Sequence, residues 1–213
     1  VKKGEEMKKE IPQQRAGKTV DYYKSVSFNL LMQTDRFYDQ VKQRLLDVNN
    51  WHKISEGPSA KFSIVDADGT NLSKSIEKND YIKIDIPGPG LPSSKGYDWV
   101  QVDQLINEVT RKTKKIVLTL RPCKDPTNTN NDTAHFFKDI ASSSITIEQH
   151  NNNVFLHYAG RNEVVNTDNK SSLDNIRNFI IGLATKIGAS YPQWKTLIDG
   201  LGRIDKTPSP TKK

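Results

Sequence analysis

The feature that most restricts the fold is a series of short segments with period-2 hydrophobicity, set between two stretches of helical period. Ile82, Ile84 and Ile86 alternate with Lys83 and Asp85, so that segment buries one face and wets the other. Ala60, Phe62 and Ile64 alternate likewise, and Ile116-Val117-Leu118-Thr119-Leu120 is a strand closed by Pro122. Tyr97-Asp98-Trp99-Val100-Gln101-Val102 follows a Pro- and Gly-rich loop over 87–96. Segments 144–149 and 154–159 flank Asn151-Asn152-Asn153, which predicts a hairpin, and Asp68-Gly69 marks another. An opening strand has Val26, Phe28, Leu30 and Met32 alternating with Ser25, Ser27, Asn29 and Leu31. The pattern predicts about six or seven strands, mostly antiparallel.

Helical spacing brackets these strands. Thr34 or Asp35 is the expected cap of a helix in which Phe37, Val41, Leu45 and Val48 form a stripe widened by Leu46. Asn49-Asn50 stops it, and Trp51 follows. Ser171-Ser172-Leu173-Asp174 fits a capping box ahead of Leu173, Ile176, Phe179, Ile180, Leu183 and Ile187, with Gly188 as the expected stop. Ser190 to Gln193 offers a second box with Pro192 in the first turn. Trp194, Leu197, Ile198 and Leu201 then continue as a shorter helix, or as an extension after a kink.

The 213 residues suit one domain over 20–204, between a flexible basic N-terminal tail (1–19) and a flexible basic C-terminal tail (205–213). The net charge of +7 sits largely outside the body. Residues 1–18 carry +3 and residues 203–213 carry +3, leaving +1 for 19–202. Phosphate binding needs cations clustered on a folded face, so nucleic acid is not an expected partner. No stretch approaches the roughly 20 apolar residues of a membrane-spanning helix, so no membrane insertion is expected. The lone thiol, Cys123, makes no internal disulfide and suits a reducing, cytoplasmic setting. Lys3-Gly4-Glu5-Glu6-Met7 is what a purine-rich ribosome-binding sequence encodes when read in frame, which predicts Met7 as the start; a native N-terminus at Val1 would refute this.

Candidate chemistry is sparse. The histidines, His52, His135, His150 and His157, show neither i, i+4 pairing nor a Cys/His cluster, so no metal and no cofactor is expected. His135, in Thr133-Ala134-His135-Phe136-Phe137, is either a packed, hydrogen-bonded ring or a catalytic one, and His157 poses the same choice. Gly160-Arg161-Asn162-Glu163 closes a strand. Arg161 and Glu163 there either orient a polar head group or form a strand-end ion pair. Arg121 is a second possible anion anchor. Tyr97, Asp98 and Trp99 either line an entrance or pack inside. Cys123 reads as a structural thiol, no Gly-x-Ser-x-Gly elbow singles out a serine, and Arg111-Lys112-Thr113-Lys114-Lys115 reads as a solvated hairpin loop.

The order strand, helix, antiparallel strands, long amphipathic C-terminal helix resembles the helix-grip (SRPBCC) superfamily, which includes START lipid-transfer domains, polyketide cyclases, plant pathogenesis-related allergens and abscisic acid receptors. The strand at 26–30, the helix at 35–48 and Trp51 look like the usual start of such domains, and the resemblance covers about 20–200. It implies an α+β, helix-grip fold, a curved antiparallel sheet wrapped around a long C-terminal helix with a cavity between them. Gly90-Leu91-Pro92-Ser93 is similar to the receptors' gate loop, although no latch loop matches. The implied function is binding or carriage of a small hydrophobic or amphipathic ligand or lipid. A polyketide cyclase-like enzyme using His135, Arg161, Glu163 and Asp98 is the alternative, and an interaction module using the basic tails is a second. Tyr97, Asp98, Trp99, Arg121, His135, His157, Arg161 and Glu163 are the expected ligand contacts. Oligomeric state is left open.

Overall fold

Strand alternation decides which side chains meet the helices. In this computed structural model, residues 10–55, 60–85, 97–128, 133, 135, 137–164 and 187–205 are described, the last segment with side chains from Trp194 onward. On β2 (Lys61–Val65) Phe62 and Ile64 enter the core, and on β3 (Tyr81–Asp85) Ile82 and Ile84 do. β5 (Thr113–Pro122) contributes Ile116, Leu118 and Leu120, and β6 (Ser142–His150) contributes Ile145 and Ile147. β7 (Asn153–Glu163) adds Val154, Leu156 and Tyr158. Residues one position along face the other way. β4 (Tyr97–Val109) turns Asp98, Val100 and Val102 inward until its register shifts between Val102 and Gln104, after which Leu105 takes the inward place.

With β1 (Lys18–Ser27) paired to β7, seven strands form one curved antiparallel sheet in the order β1-β7-β6-β5-β4-β3-β2. Between β1 and β2, α1 (Leu31–Leu46), a 3-10 turn (Val48–Asn50) and α2 (Trp51–Ile54) carry the chain from one sheet edge to the other. α3 (Ile187–Leu201) follows β7 and lies against β7, β1 and α2. This is the helix-grip α+β arrangement.

The helices cohere through the expected stripe. Phe37, Val41, Leu45 and Val48 are buried, and Trp51 donates its indole N–H to the carbonyls of Arg44 and Leu45. Asn49 ties this corner to the sheet, donating to Leu72 O at 2.8 Å and accepting from Ile64 N at 2.8 Å. α3 approaches α2 so closely that a Cβ on Gly200 would collide with the carbonyl of Ile54.

Several boundaries differ from expectation. Leu30 to Met32 do not extend the first strand: Leu30 is the N-cap of α1, and Leu31 and Met32 are its exposed first turn. Neither Thr34 nor Asp35 caps that helix. The Thr34 hydroxyl instead bonds back to Leu30 O at 3.2 Å, inside the helix. The Asp68-Gly69 turn closes only the bridge Val65↔Asn71, and β2 takes β3 as its ladder partner. β7 runs on to Glu163 past Gly160, with Asn162 at φ 55. Gly188 does not stop a helix; it lies within α3, which has begun by Ile187, so Ser190 is not its cap. The expected helix over 171–186 and the Gly90-Leu91-Pro92-Ser93 loop lie outside the described residues.

The segment before β1, placed in a tail by the sequence, is held by Asn162. Its Oδ1 accepts from Arg15 N at 2.6 Å and Ala16 N at 3.1 Å, and its Nδ2 donates to Gln13 O at 2.9 Å. Farther back, Glu10 pairs with Lys115 on the sheet's outer face. Asn151, at φ 50, makes the expected hairpin between β6 and β7.

Candidate functional site

Tyr158 is the inward residue of β7 that carries a polar end into the core. Its ring lies flat on Trp194 of α3, centroids 4.9 Å apart and planes at 15°. Its hydroxyl lies 3.1 Å from Ser143 Oγ on β6. Two residues along β7, Gly160 has no side chain. A Cβ there would collide with Glu163 Oε1 and lie 3.1 Å from Tyr158 OH, so both oxygens sit over the glycine. Burial raises the Glu163 carboxyl above its ordinary value, opposed by the charges of Lys18 and Arg161. Burial also raises the Tyr158 phenol, reinforced by the Glu163 charge. The group is a carboxyl and two hydroxyls on the concave face, walled by Trp194 and beyond it by Phe62 and Trp51. It can donate to or accept from one polar end of an otherwise apolar molecule.

Asp98 and His135 form a second polar pair on that side of the sheet. Asp98 sits on β4 opposite Ile84, 6% exposed. His135, from the β5–β6 connection, brings Nε2 to 3.8 Å from Asp98 Oδ2 while its Nδ1 accepts from Phe137 N at 2.9 Å. An accepting Nδ1 places the proton on Nε2, facing the carboxylate. Burial lowers the His135 basicity, with Asp98 and the Phe137 backbone opposing it.

The remaining expected contacts face outward. Trp99 packs with Val65 beneath Tyr81, Tyr97 and Cys123, and Lys83 Nζ lies 5.1 Å over the Tyr97 ring. Burial pushes the Cys123 thiol up to about 12, reinforced by Asp125, so it stays protonated and inert. Arg121 pairs with Asp103 at 2.7 Å. His157 stacks on Tyr23 at 4.1 Å and 6° and holds Asp21 Oδ1 at 2.7 Å, which Arg161 also binds at 2.8 Å. Burial works to raise the Asp21 carboxyl, yet the hydrogen bonds from Arg161 and His157 bring it below its ordinary range. Burial lowers the basicity of His157, against its Asp21 partner.

The eight expected contacts therefore divide by face. Asp98, His135 and Glu163 are on the concave side; Tyr97, Trp99, Arg121, His157 and Arg161 are not, so Arg161 does not join Glu163. Tyr158, Ser143 and Trp194, which complete this candidate group, are not among the expected contacts. The alternation of Val154, Leu156 and Tyr158, leading to a glycine, was the signal that could have found Tyr158. Among the described residues no cluster of His, Cys, Asp and Glu is arranged to hold a metal, and no helix is long and apolar enough to cross a membrane.

No protein-family model matches the chain, and no curated protein matches it in sequence. Among solved structures it is similar to the hypothetical protein jhp0584 from Helicobacter pylori, at 15% identity and TM-score 0.47 over 91% of this chain and 90% of that one. It is also similar to truncated norcoclaurine synthase from Thalictrum flavum, at 7% identity and TM-score 0.39 over 91% and 100%. Ara h 8.0201 matches at 9% identity and TM-score 0.33 over 86% and 98%. The class assigned here, helix-grip α+β, rests on this chain's own strand order and helices.

Proposed function

We propose that the protein binds a small apolar or amphipathic molecule on the concave face of the sheet, beside α3, with the molecule's polar end at Glu163 and Tyr158. The observation that carries this reading is a carboxyl with raised proton affinity, held beside two hydroxyls among aromatic rings. Such a group is costly to bury unless something answers its hydrogen bonds.

Equilibrium titration with anilinonaphthalene sulfonate, followed by displacement with long-chain alcohols and carboxylic acids, tests it. Saturable equimolar binding, weakened by Glu163→Gln and Trp194→Ala in variants that keep their fold, is expected. Failure of every probe to saturate, or unchanged affinity in both variants, would refute it.

A second reading is acid–base chemistry on the same molecule. It is favoured by the Asp98–His135 pair on the same side of the sheet and by Glu163, whose proton affinity burial raises. Bound molecules recovered with unchanged mass and connectivity after prolonged incubation would count against catalysis and leave carriage standing.

A further inference from the structure

At the end of the sheet where β4 turns into β5 and β6 into β7, α1 begins. Asn152 donates to Asn29 O at 3.1 Å, Phe28 N donates to Asn152 O at 2.9 Å, and Asp35 receives Lys114 at 2.8 Å and Gln149 at 2.9 Å. Thr113 pairs with His150, so the two hairpin turns lie side by side next to the start of the helix. On this tip Leu30, Leu31 and Met32 are 55%, 54% and 56% exposed, and Val109 is 67% exposed. They are four of the eight large apolar side chains exposed among the described residues, gathered at one end of the molecule.

This placement breaks a local rule. An N-cap favours Ser, Thr, Asp or Asn, yet Leu30 occupies it with no side-chain cap, and two more large apolar residues follow in water. Positions that forgo local stability without a packing gain point to function. Arg36, Arg111 and Lys112 are exposed and form no ion pair among the described residues, whereas Asp35 pairs with Lys114 and Glu108 shares Lys115 with Glu10. Asp39, one helical turn on, is the remaining exposed acid on α1 near the tip.

We infer that this tip is a peripheral docking surface for an anionic lipid bilayer, with Leu30, Leu31, Met32 and Val109 entering the headgroup boundary while Arg36, Arg111 and Lys112 meet lipid phosphates. Shallow apolar insertion plus a cationic rim is the combination that holds interfacial proteins. Four side chains are few for a protein interface, which buries about 800 Å² a side, but suffice for a shallow anchor. The docking surface is independent of the concave-face ligand.

Flotation of the full chain with vesicles of equal parts phosphatidylglycerol and phosphatidylcholine, compared with phosphatidylcholine alone, is the test. Binding to the anionic vesicles is expected. It should fall by about tenfold or more in the double variant Leu31→Asp, Met32→Asp, and by about fivefold for each cation removed in Arg111→Ala, Lys112→Ala. A melt of each variant controls for folding, with Leu31→Gln as the milder substitute if the double variant unfolds. No flotation with either vesicle overturns the inference. So does full binding by the apolar-tip variants, which would place it in the basic segments 1–18 and 203–213. So does a change from dimer to monomer in those variants without any vesicle binding, which would make a second copy the partner.

Discussion

Trp194 lies flat on Tyr158, ring centroids 4.9 Å apart, and its edge meets Trp51 at 6.5 Å and 74°. The last helix is therefore keyed to the sheet through this partly exposed indole as well as through the buried Leu197, Ile198 and Leu201. Trp194→Ala should cost about 2–3 kcal/mol in urea denaturation, toward the low end for an aromatic truncation because the side chain is not fully buried. Trp194→Phe should recover most of it. A loss under half a kcal/mol (about one-fifth of the expected effect) would mean that α3 is held elsewhere.

Gly200 permits the contact between α3 and α2. A Cβ there collides with the backbone carbonyl of Ile54, which has no side-chain torsion with which to step aside. Gly200→Ala should therefore destabilise by about 1–3 kcal/mol despite its better helix propensity. A melt showing stabilisation would disprove the close approach.

Glu163 gives the fold a pH dependence of its own. The folded chain holds this proton more tightly than the unfolded chain, whose carboxyl has the ordinary value of 4.5. The contribution is complete below that value and is lost as pH rises through the folded value. The stability of the wild type minus that of Glu163→Gln, from urea midpoints across the pH range, should fall from acid to neutral. A difference that stays flat or rises would show a carboxyl that is not raised.

The histidines act in the opposite direction. His135 and His157 both have folded values below the ordinary 6.5. Their contribution is present above 6.5 and is lost as pH falls through their folded values. Nuclear magnetic resonance titration should place both midpoints below that of a free histidine. Asp21→Asn removes the acceptor shared by His157 and Arg161 and should lower the His157 midpoint further, at about 1–2 kcal/mol of stability for these partly exposed bonds. A midpoint above the ordinary value would mean that Asp21 outweighs burial.

The strands were legible because Ile82, Ile84, Ile116, Leu118 and their like are apolar on one side and polar on the other, and period fixes element type. Facing was not legible where both sides are buried. Tyr97-Asp98-Trp99 puts its aromatics in an outer cluster and its carboxylate inward, the reverse of what hydrophobicity suggests. The end of β7 was obscured because Gly160 and Asn162 look like turn residues. The glycine instead makes room for Glu163 and Tyr158, and the asparagine takes a left-handed backbone that lets its side chain hold the segment before β1. Leu30 and Met32 continue the period of Val26 and Phe28, yet the chain has already turned into α1 there and both are exposed. The split of the expected contacts follows from the pairing Tyr23↔His157 on the outer side, which needs the register of β1 on β7.

The chain's three tryptophans report on separate places: Trp51 within the core, Trp99 under the outer cluster and Trp194 against Tyr158. Following their indole N–H resonances during titration with anilinonaphthalene sulfonate asks directly whether a small molecule settles between helix and sheet. The Trp194 resonance should move and saturate at equimolar probe while that of Trp99 stays in place. Movement of Trp99 alone, or no saturating shift at Trp194, would contradict binding on the concave face.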